Sequence, residues 1–280
     1  MEFEQIKEKI KSFVENELYS LEPWILNSEW DEKLPKLNEL RKKVKKMGLW
    51  LPQVPKEYGG LGLTNVQHGE ICEILGSNPY GLYVFNCQAP DAGNMEILME
   101  FGTQEQKEKY LTPLLRGDIR SCFAMTEPNH AGSNPVKMGT LAKKENGNYI
   151  INGHKWFTSS FDGAAFAIVM LISDPENENI HKRASQVIIP TATDGVEFIR
   201  NVQIMGHVGG GWESHAEIKF NNVIVPQSNV LGSDGEGFSI AQKRLGPGRI
   251  HHCMRWMGIC ERSFDLMCKR AVSRELAHGQ

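Results

Sequence analysis

What the sequence lacks narrows it first. It has no Cys-x-x-Cys pair, and its longest apolar run, Ala164 to Ile172, is far short of a membrane span, which needs about 20 apolar residues. Neither sign of charge dominates: 31 Lys and Arg face 34 Asp and Glu, a formal net charge of −3. That balance excludes the basic footprint of a nucleic-acid binder. The six cysteines (72, 87, 122, 253, 260, 268) lie inside apolar stretches, so we expect buried free thiols in a reducing compartment, the cytoplasm, rather than disulfides or a zinc site. The N-terminus is amphipathic but rich in Glu, with no apolar signal core, and reads as mature structure. No Rossmann pattern, phosphate loop, internal repeat or low-complexity linker is present.

What is there divides into three stretches. A chain of 280 residues, 40% hydrophobic and 23% charged, has room for more than one core. From Ile6 the apolar residues Ile10, Phe13, Val14, Leu18 and Leu21 keep helical spacing, and Leu34, Leu37, Leu40 and Val44 repeat it. The pattern predicts further helices near 65–76 and 80–101. Thr103 to Gln106 is a capping-box pattern opening another helix toward Leu115, closed by Gly117-Asp118. Residues 120 to about 226 turn to strand-rich segments, with a type I′ hairpin signal at Asn146-Gly147. After Gly232 the sequence returns to helix, with Met257, Cys260, Phe264 and Met267 spaced as on a buried helix face. The expected fold is α+β: an N-terminal all-helical bundle over 1–119, a middle β-barrel or sandwich domain over 120–232, and the first part of a C-terminal helical domain over 233–280.

Particular words at the boundaries of that order carry a resemblance. The stretch FGTQEQKEKYLTPLLRGDI at 101–119, SCFAMTEPNHAGSNP at 121–135, Asn152-Gly153-His154-Lys155-Trp156-Phe157-Thr158, FNNVIVPQSNVLG at 220–232 and Gly235-x-Gly237-Phe238 together resemble the flavin-dependent acyl-CoA dehydrogenase family along essentially the whole chain. The loop after Thr126-Glu127-Pro128 is one residue longer than the family's commonest form and ends in Asn134 rather than Asp. Ala89 to Glu96 and Arg244 to Arg255 are similar to a narrower branch, which includes animal members fused to a phosphotransferase-like kinase domain. The family's chain normally continues about another hundred residues.

The resemblance implies FAD as cofactor. In its terms the backbone of Phe123, Ala124, Met125 and Thr126 borders the flavin ring, and Thr126 donates to the pyrimidine side. Trp156 and Phe157 belong to the strand that covers the ring, and Thr158 approaches N5. Ser133 would reach the flavin pyrophosphate and the pantetheine region of the thioester. Arg249 would lie beside the substrate, and Arg274 would reach the flavin diphosphate of a neighbouring subunit. His278 stands where the family usually has Phe. Gly248 occupies a position at which some branches carry a catalytic Glu, so Gly246-Pro247-Gly248 is expected to bend the helix and admit close approach of backbone or ligand. A packing kink is the other reading. His251 and His252 point in different directions on a helix and read as core or interface histidines. His215, Asp91 and Asn94 are weaker pocket candidates, solvated turn or helix residues being the commoner explanation.

The implied activity is α,β-dehydrogenation of an acyl-CoA thioester to a trans-2-enoyl-CoA, with electrons passed to an electron-transfer flavoprotein. The catalytic base is unknown: Gly248 cannot serve, and the carboxylate is expected beyond Gln280. The chain is expected to be an oligomer, of like copies or with a partner that supplies the remaining helices. An acyl-CoA oxidase and a non-catalytic flavin- or acyl-CoA-binding subunit of a split-gene complex are the alternatives.

Overall fold

The structure, a computed structural model, describes residues 1–275. By internal packing the chain divides into two units: one holds Met1–Ser28, Lys36–Cys87 and the chain from Pro247 on, the other Glu29–Pro35 and Gln88–Gly246.

In the first unit the amphipathic N-terminus forms the helix Phe3–Phe13, and Ile6, Ile10, Phe13, Val14 and Leu18 are buried as their spacing requires. The helix Asn65–Gly76 starts at a reciprocal capping box between Thr64 and Gln67. The stretch 80–101 is not one helix. It divides into Gly81–Val84 and Asp91–Phe101, because Asn86 turns the chain at φ 57° and Pro90 cannot sit inside a helix without losing a hydrogen bond.

The second unit is built on seven strands: β1 Ser121–Ala124, β2 Leu141–Glu145, β3 Asn148–Ser159, β4 Phe166–Ile172, β5 Ala184–Pro190, β6 Val196–Asn201 and β7 His215–Pro226. The order is β1-β4-β2-β3-β7-β6, with β5 paired to β4. The β2–β3 hairpin closes at Asn146 and Gly147, both at positive φ, as the type I′ turn demands. Every residue of β4 is buried: Val169 and Leu171 enter the main core with Tyr149, Ile151, Ile218 and Phe220, while Met170 and Ile172 pack with Ala241 and Phe238. A strand covered on both faces reads as an unbroken apolar run.

The last helix runs from Gly237 to Ser273 without a break, with Pro247 inside it. Three expectations change along it. A Cβ added at Gly246 or Gly248 would meet nothing within 4 Å, so no atom of the described residues uses the close approach that these glycines allow. Met257, Cys260, Phe264 and Met267 are exposed rather than buried. Of the six free cysteines, Cys72, Cys87 and Cys122 are buried, but Cys253, Cys260 and Cys268 are exposed.

The reason is which face of that helix packs. Within the first unit its inward residues are His251, Arg255, Gly258 and Arg262, at steps of four, three and four. His251 meets His68 edge to face at 4.5 Å. Arg255 donates to the Cys87 carbonyl at 3.4 Å, and Arg262 donates to Glu22 at 3.1 Å while lying over Tyr19. Gly258 lets the backbone of Glu73 approach so closely that an added Cβ would fall 1.9 Å from its carbonyl oxygen. His251 is thus a core histidine, as expected, and His252 is exposed.

Candidate active site

The site is built around an irregularity in β3. Pairing with β7 slips between Lys155 and Thr158, and Phe157 takes φ 48°. One extra residue on β3 re-aims the side chains there, which is what a bulge does. Trp156 is half-buried, Phe157 is exposed beside it with ring centroids 4.8 Å apart, and Thr158 is buried. The Thr158 hydroxyl has no hydrogen-bond partner among the described residues, an uncommon state for a buried polar group.

Next to the bulge, Lys155 is fully buried and staples β3 to the loop after β1. Its ammonium donates to the Met125 carbonyl at 2.9 Å and to Glu127 at 2.8 Å. Glu127 also accepts from the Thr140 amide at 2.9 Å, the Thr140 hydroxyl at 2.6 Å and the Gly139 amide. Burial alone would raise the Glu127 carboxyl, but the Lys155 ammonium and these donors outweigh it and hold the group well below the usual carboxylate range. The Trp156 amide donates to the Thr126 carbonyl at 3.0 Å. The Met125–Glu127 segment is therefore fixed to β3 at three points.

On the same unit lies a cleft of about 550 Å³, walled by Ala89, Pro90, Phe123, Phe157 and Trp212, with Ser159, His215 and Arg244 among its polar residues. Ser159 Oγ and His215 Nδ1 lie 2.8 Å apart, and burial, with His207 nearby, lowers the His215 imidazole below its ordinary range. Glu213, also on the cleft, is ion-paired with Lys33 at 3.0 Å. Asp91 and Asn94, expected to be solvated, are fully buried. Asp91 accepts from the Ser121 amide at 2.7 Å, the Ser121 hydroxyl at 2.6 Å and Gln88 at 2.8 Å. Asn94 donates to Ser121 Oγ and the Cys122 carbonyl, and accepts from Arg244 Nε at 3.1 Å.

Among the residues singled out from sequence, Phe123 and Phe157 meet on this cleft, and Thr126, Trp156 and Thr158 are joined through the bulge. Met125 is half-buried and packs against the Met170 face of β4. Ser133, Arg249 and Arg274 are exposed, Arg274 just past the end of the last helix, and Gly246 and Gly248 are half-buried. His278 lies outside the described residues. Among these residues no cluster of three or more His, Cys, Asp or Glu could hold a metal ion, and no helix is long and apolar enough to cross a membrane.

Sequence profiles for acyl-CoA dehydrogenases match in order: the N-terminal domain over residues 1–118, the middle domain over 122–223 and the C-terminal domain over 235–280. A candidate acyl-CoA dehydrogenase from Mycobacterium abscessus superimposes with a TM-score of 0.92 at 35% identity, over 98% of this chain and 70% of that one. The chain belongs to the acyl-CoA dehydrogenase family. Acyl-CoA dehydrogenase family member 10 of Mus musculus is 42% identical over 96% of this chain, and family member 11 of Rattus norvegicus 38% identical over 97%. These are members of the branch that the words at 89–96 and 244–255 resemble. The chain spans only 26% and 36% of their lengths.

Sequence reasoning missed two parts of this site. The Lys155–Glu127 pair lies between two of the quoted family words, and the signal was a lysine in an otherwise apolar strand register. Arg244 was quoted only as part of a motif. Its partner Asn94 is 150 positions away, and no local spacing reveals such a contact.

Proposed function

We propose that this chain is the flavin- and thioester-binding part of an FAD-dependent acyl-CoA dehydrogenase, acting in α,β-dehydrogenation of an acyl-CoA to the trans-2-enoyl-CoA. The observation that carries the reading is the unpartnered, buried Thr158 hydroxyl, on a bulged strand that also presents Trp156, beside a pinned Met125–Thr126 backbone. An orphaned donor on a rigid support fits a ring with acceptor nitrogens and carbonyls. When bound, FAD supplies the acceptor for the β-hydride. Thr158 and the Phe123–Thr126 backbone would hold its ring, Trp156 would flank it and Ser133 would meet its phosphates, while Arg274 would reach the flavin diphosphate of a neighbouring subunit. The open space at Gly246 and Gly248, with Arg249 beside it, suits the thioester.

No base is assigned among the described residues. The three carboxylates at the site are each engaged: Glu127 by Lys155, Glu213 by Lys33, and Asp91 by Ser121 and Gln88. Electron-transfer flavoprotein is the proposed electron acceptor. The buried thiols Cys72, Cys87 and Cys122 suit a reducing compartment such as the cytoplasm. The outward apolar residues of the last helix favour assembly with a second copy; light scattering at micromolar concentration should show it, and a stable monomer would remove that part of the reading.

The test is a titration of the purified chain with FAD, read by flavin absorbance and fluorescence quenching. Wild type should bind. Thr158→Val, which deletes one hydrogen bond contributing about 0.5–1.5 kcal/mol, should weaken FAD binding by roughly threefold to tenfold. The flavin-free variant should melt no lower than wild type, since the hydroxyl has no partner to lose. A chain that never takes up FAD overturns the reading, as does a Thr158→Val variant that binds FAD as well as wild type and melts lower.

A further inference from the structure

Arg244 stands out among the groups on the cleft. Its guanidinium carries five N–H donors, and two are used within the chain: Nε donates to Asn94 at 3.1 Å and one terminal nitrogen to the Pro90 carbonyl at 3.2 Å. The plane lies over the Phe123 ring, 4.2 Å from its centroid. No ion pair to Arg244 is formed among the described residues, unlike Arg262, which has Glu22, or Lys155, which has Glu127.

The surroundings are arranged to hold that plane in place. A Cβ at Gly93 would fall 3.0–3.1 Å from the Arg244 side chain, so glycine makes room for it. Asn94, which receives Nε, is fixed by its own bonds to Ser121 and Cys122, and Ser121 is fixed by Asp91. No carboxylate forms an ion pair with the guanidinium among the described residues: Glu213 is spent on Lys33 and Asp91 accepts from Ser121 and Gln88, and Glu96 and Asp91 act on Arg244 only through space. A positioned guanidinium with three unspent donors, on a cleft walled by Pro90, Phe123, Phe157 and Trp212, is a receptor for a planar anion.

We propose that Arg244 is a specificity-determining residue, and that the acyl chain accepted by this cleft carries a carboxylate at the end remote from the thioester. The inference rests on the acyl-CoA dehydrogenase reading and adds the substrate class. A site built to pair a polar group discriminates strongly against the analogue that lacks it, because its own donors are then left desolvated and unpaired. Arg244 acts on binding and selection, and no proton transfer is assigned to it.

The experiment is calorimetric titration of the full chain, with FAD present, using adipyl-CoA and hexanoyl-CoA, which match in carbon number and differ in the terminal carboxylate. Adipyl-CoA should bind about tenfold or more tightly than hexanoyl-CoA, the size of a charge-assisted hydrogen bond. Arg244→Met should abolish the preference, and Arg244→Lys, which keeps the charge but loses the plane, should leave a reduced one. A melting curve checks that each variant is folded; should Arg244→Met not fold, the wild-type ratio and Arg244→Lys still decide. Equal binding of the two thioesters by wild type, or a preference that survives Arg244→Met, overturns the assignment of Arg244 and leaves the dehydrogenase reading standing. Binding of neither thioester removes both.

Discussion

Strand β4 and the distal half of the last helix are both rich in apolar side chains, yet they meet opposite fates. All seven residues of β4 are buried. On the helix, Ile250, Trp256, Met257, Phe264 and Met267 are each more than half exposed, while the face turned into its own unit is His251, Arg255, Gly258 and Arg262. Apolar content therefore does not decide which face packs. The strand lies between neighbours on both sides, whereas the helix is held by specific partners for polar groups: His68, the Cys87 carbonyl, the Glu73 carbonyl and Glu22.

The largest effect should come from breaking the buried Lys155–Glu127 ion pair on the strand side. Lys155→Met leaves Glu127 buried without its ammonium, and removing one partner of a buried pair costs about 3–5 kcal/mol. Denaturant unfolding should show that loss, with Glu127→Gln losing a comparable amount because the Lys155 ammonium is then the buried charge left without its partner. A loss below 1 kcal/mol for Lys155→Met would mean that the staple does not organise the β1 loop. On the helix side, Gly258→Ala drives a methyl group into the Glu73 backbone and should cost about 1–3 kcal/mol by overpacking, seen as a lower melting temperature. Unchanged melting would show that the two helices separate at little cost.

A third measurement separates the two regions by pH. Burial, reinforced by His251 and Arg255, lowers the His68 imidazole from 6.5 to about 3. Its folded pKa lies below its unfolded one, so the unfolded chain binds the extra proton between those values. Stability is then complete above pH 6.5 and falls as pH drops toward 3, by up to about 1.4 kcal/mol per unit from this group. Glu127, whose folded pKa is also depressed, to about 2 from 4.5, loses its contribution between those two values. Replacing His68 with Phe should flatten the slope between pH 6.5 and 4.5, lessen it between 4.5 and 3 where both groups act, and leave it unchanged below 3. A slope that persists in the variant would assign it to other groups.

How much of this was legible follows from where each signal resides. The hairpin at Asn146-Gly147 is local: two residues able to take positive φ settle it. Helix Phe3–Phe13 and strand β4 are nearly local, since their apolar patterns match the surfaces that cover them. Trp156 and Thr158 were singled out through the spacing of the words around them. The bulge that separates their environments was not, because it is a property of the pairing with β7. Glu127 with Lys155, and Asn94 with Arg244, join residues 28 and 150 positions apart. The buried polar face of the last helix was misread because periodicity marks an apolar stripe and is silent about which stripe finds a partner.

The smallest effect concerns Gly248, on the same helix as Gly258 but with nothing near its missing side chain. A glycine in a helix interior costs about 1 kcal/mol relative to Ala, and here no contact among the described residues offsets that cost. Gly248→Ala should therefore raise stability by about 0.5–1 kcal/mol, which for a chain of this size is a rise of roughly 1–4 °C in melting temperature. The sign is opposite to that of Gly258→Ala, ten residues further on, and the pair isolates packing from helix propensity. A lower melting temperature would show that a neighbour does occupy the space. If the stabilised variant also binds FAD as before but holds acyl-CoA more weakly, then the glycine is kept for the thioester, and the helix sacrifices its own stability there to leave room for a ligand.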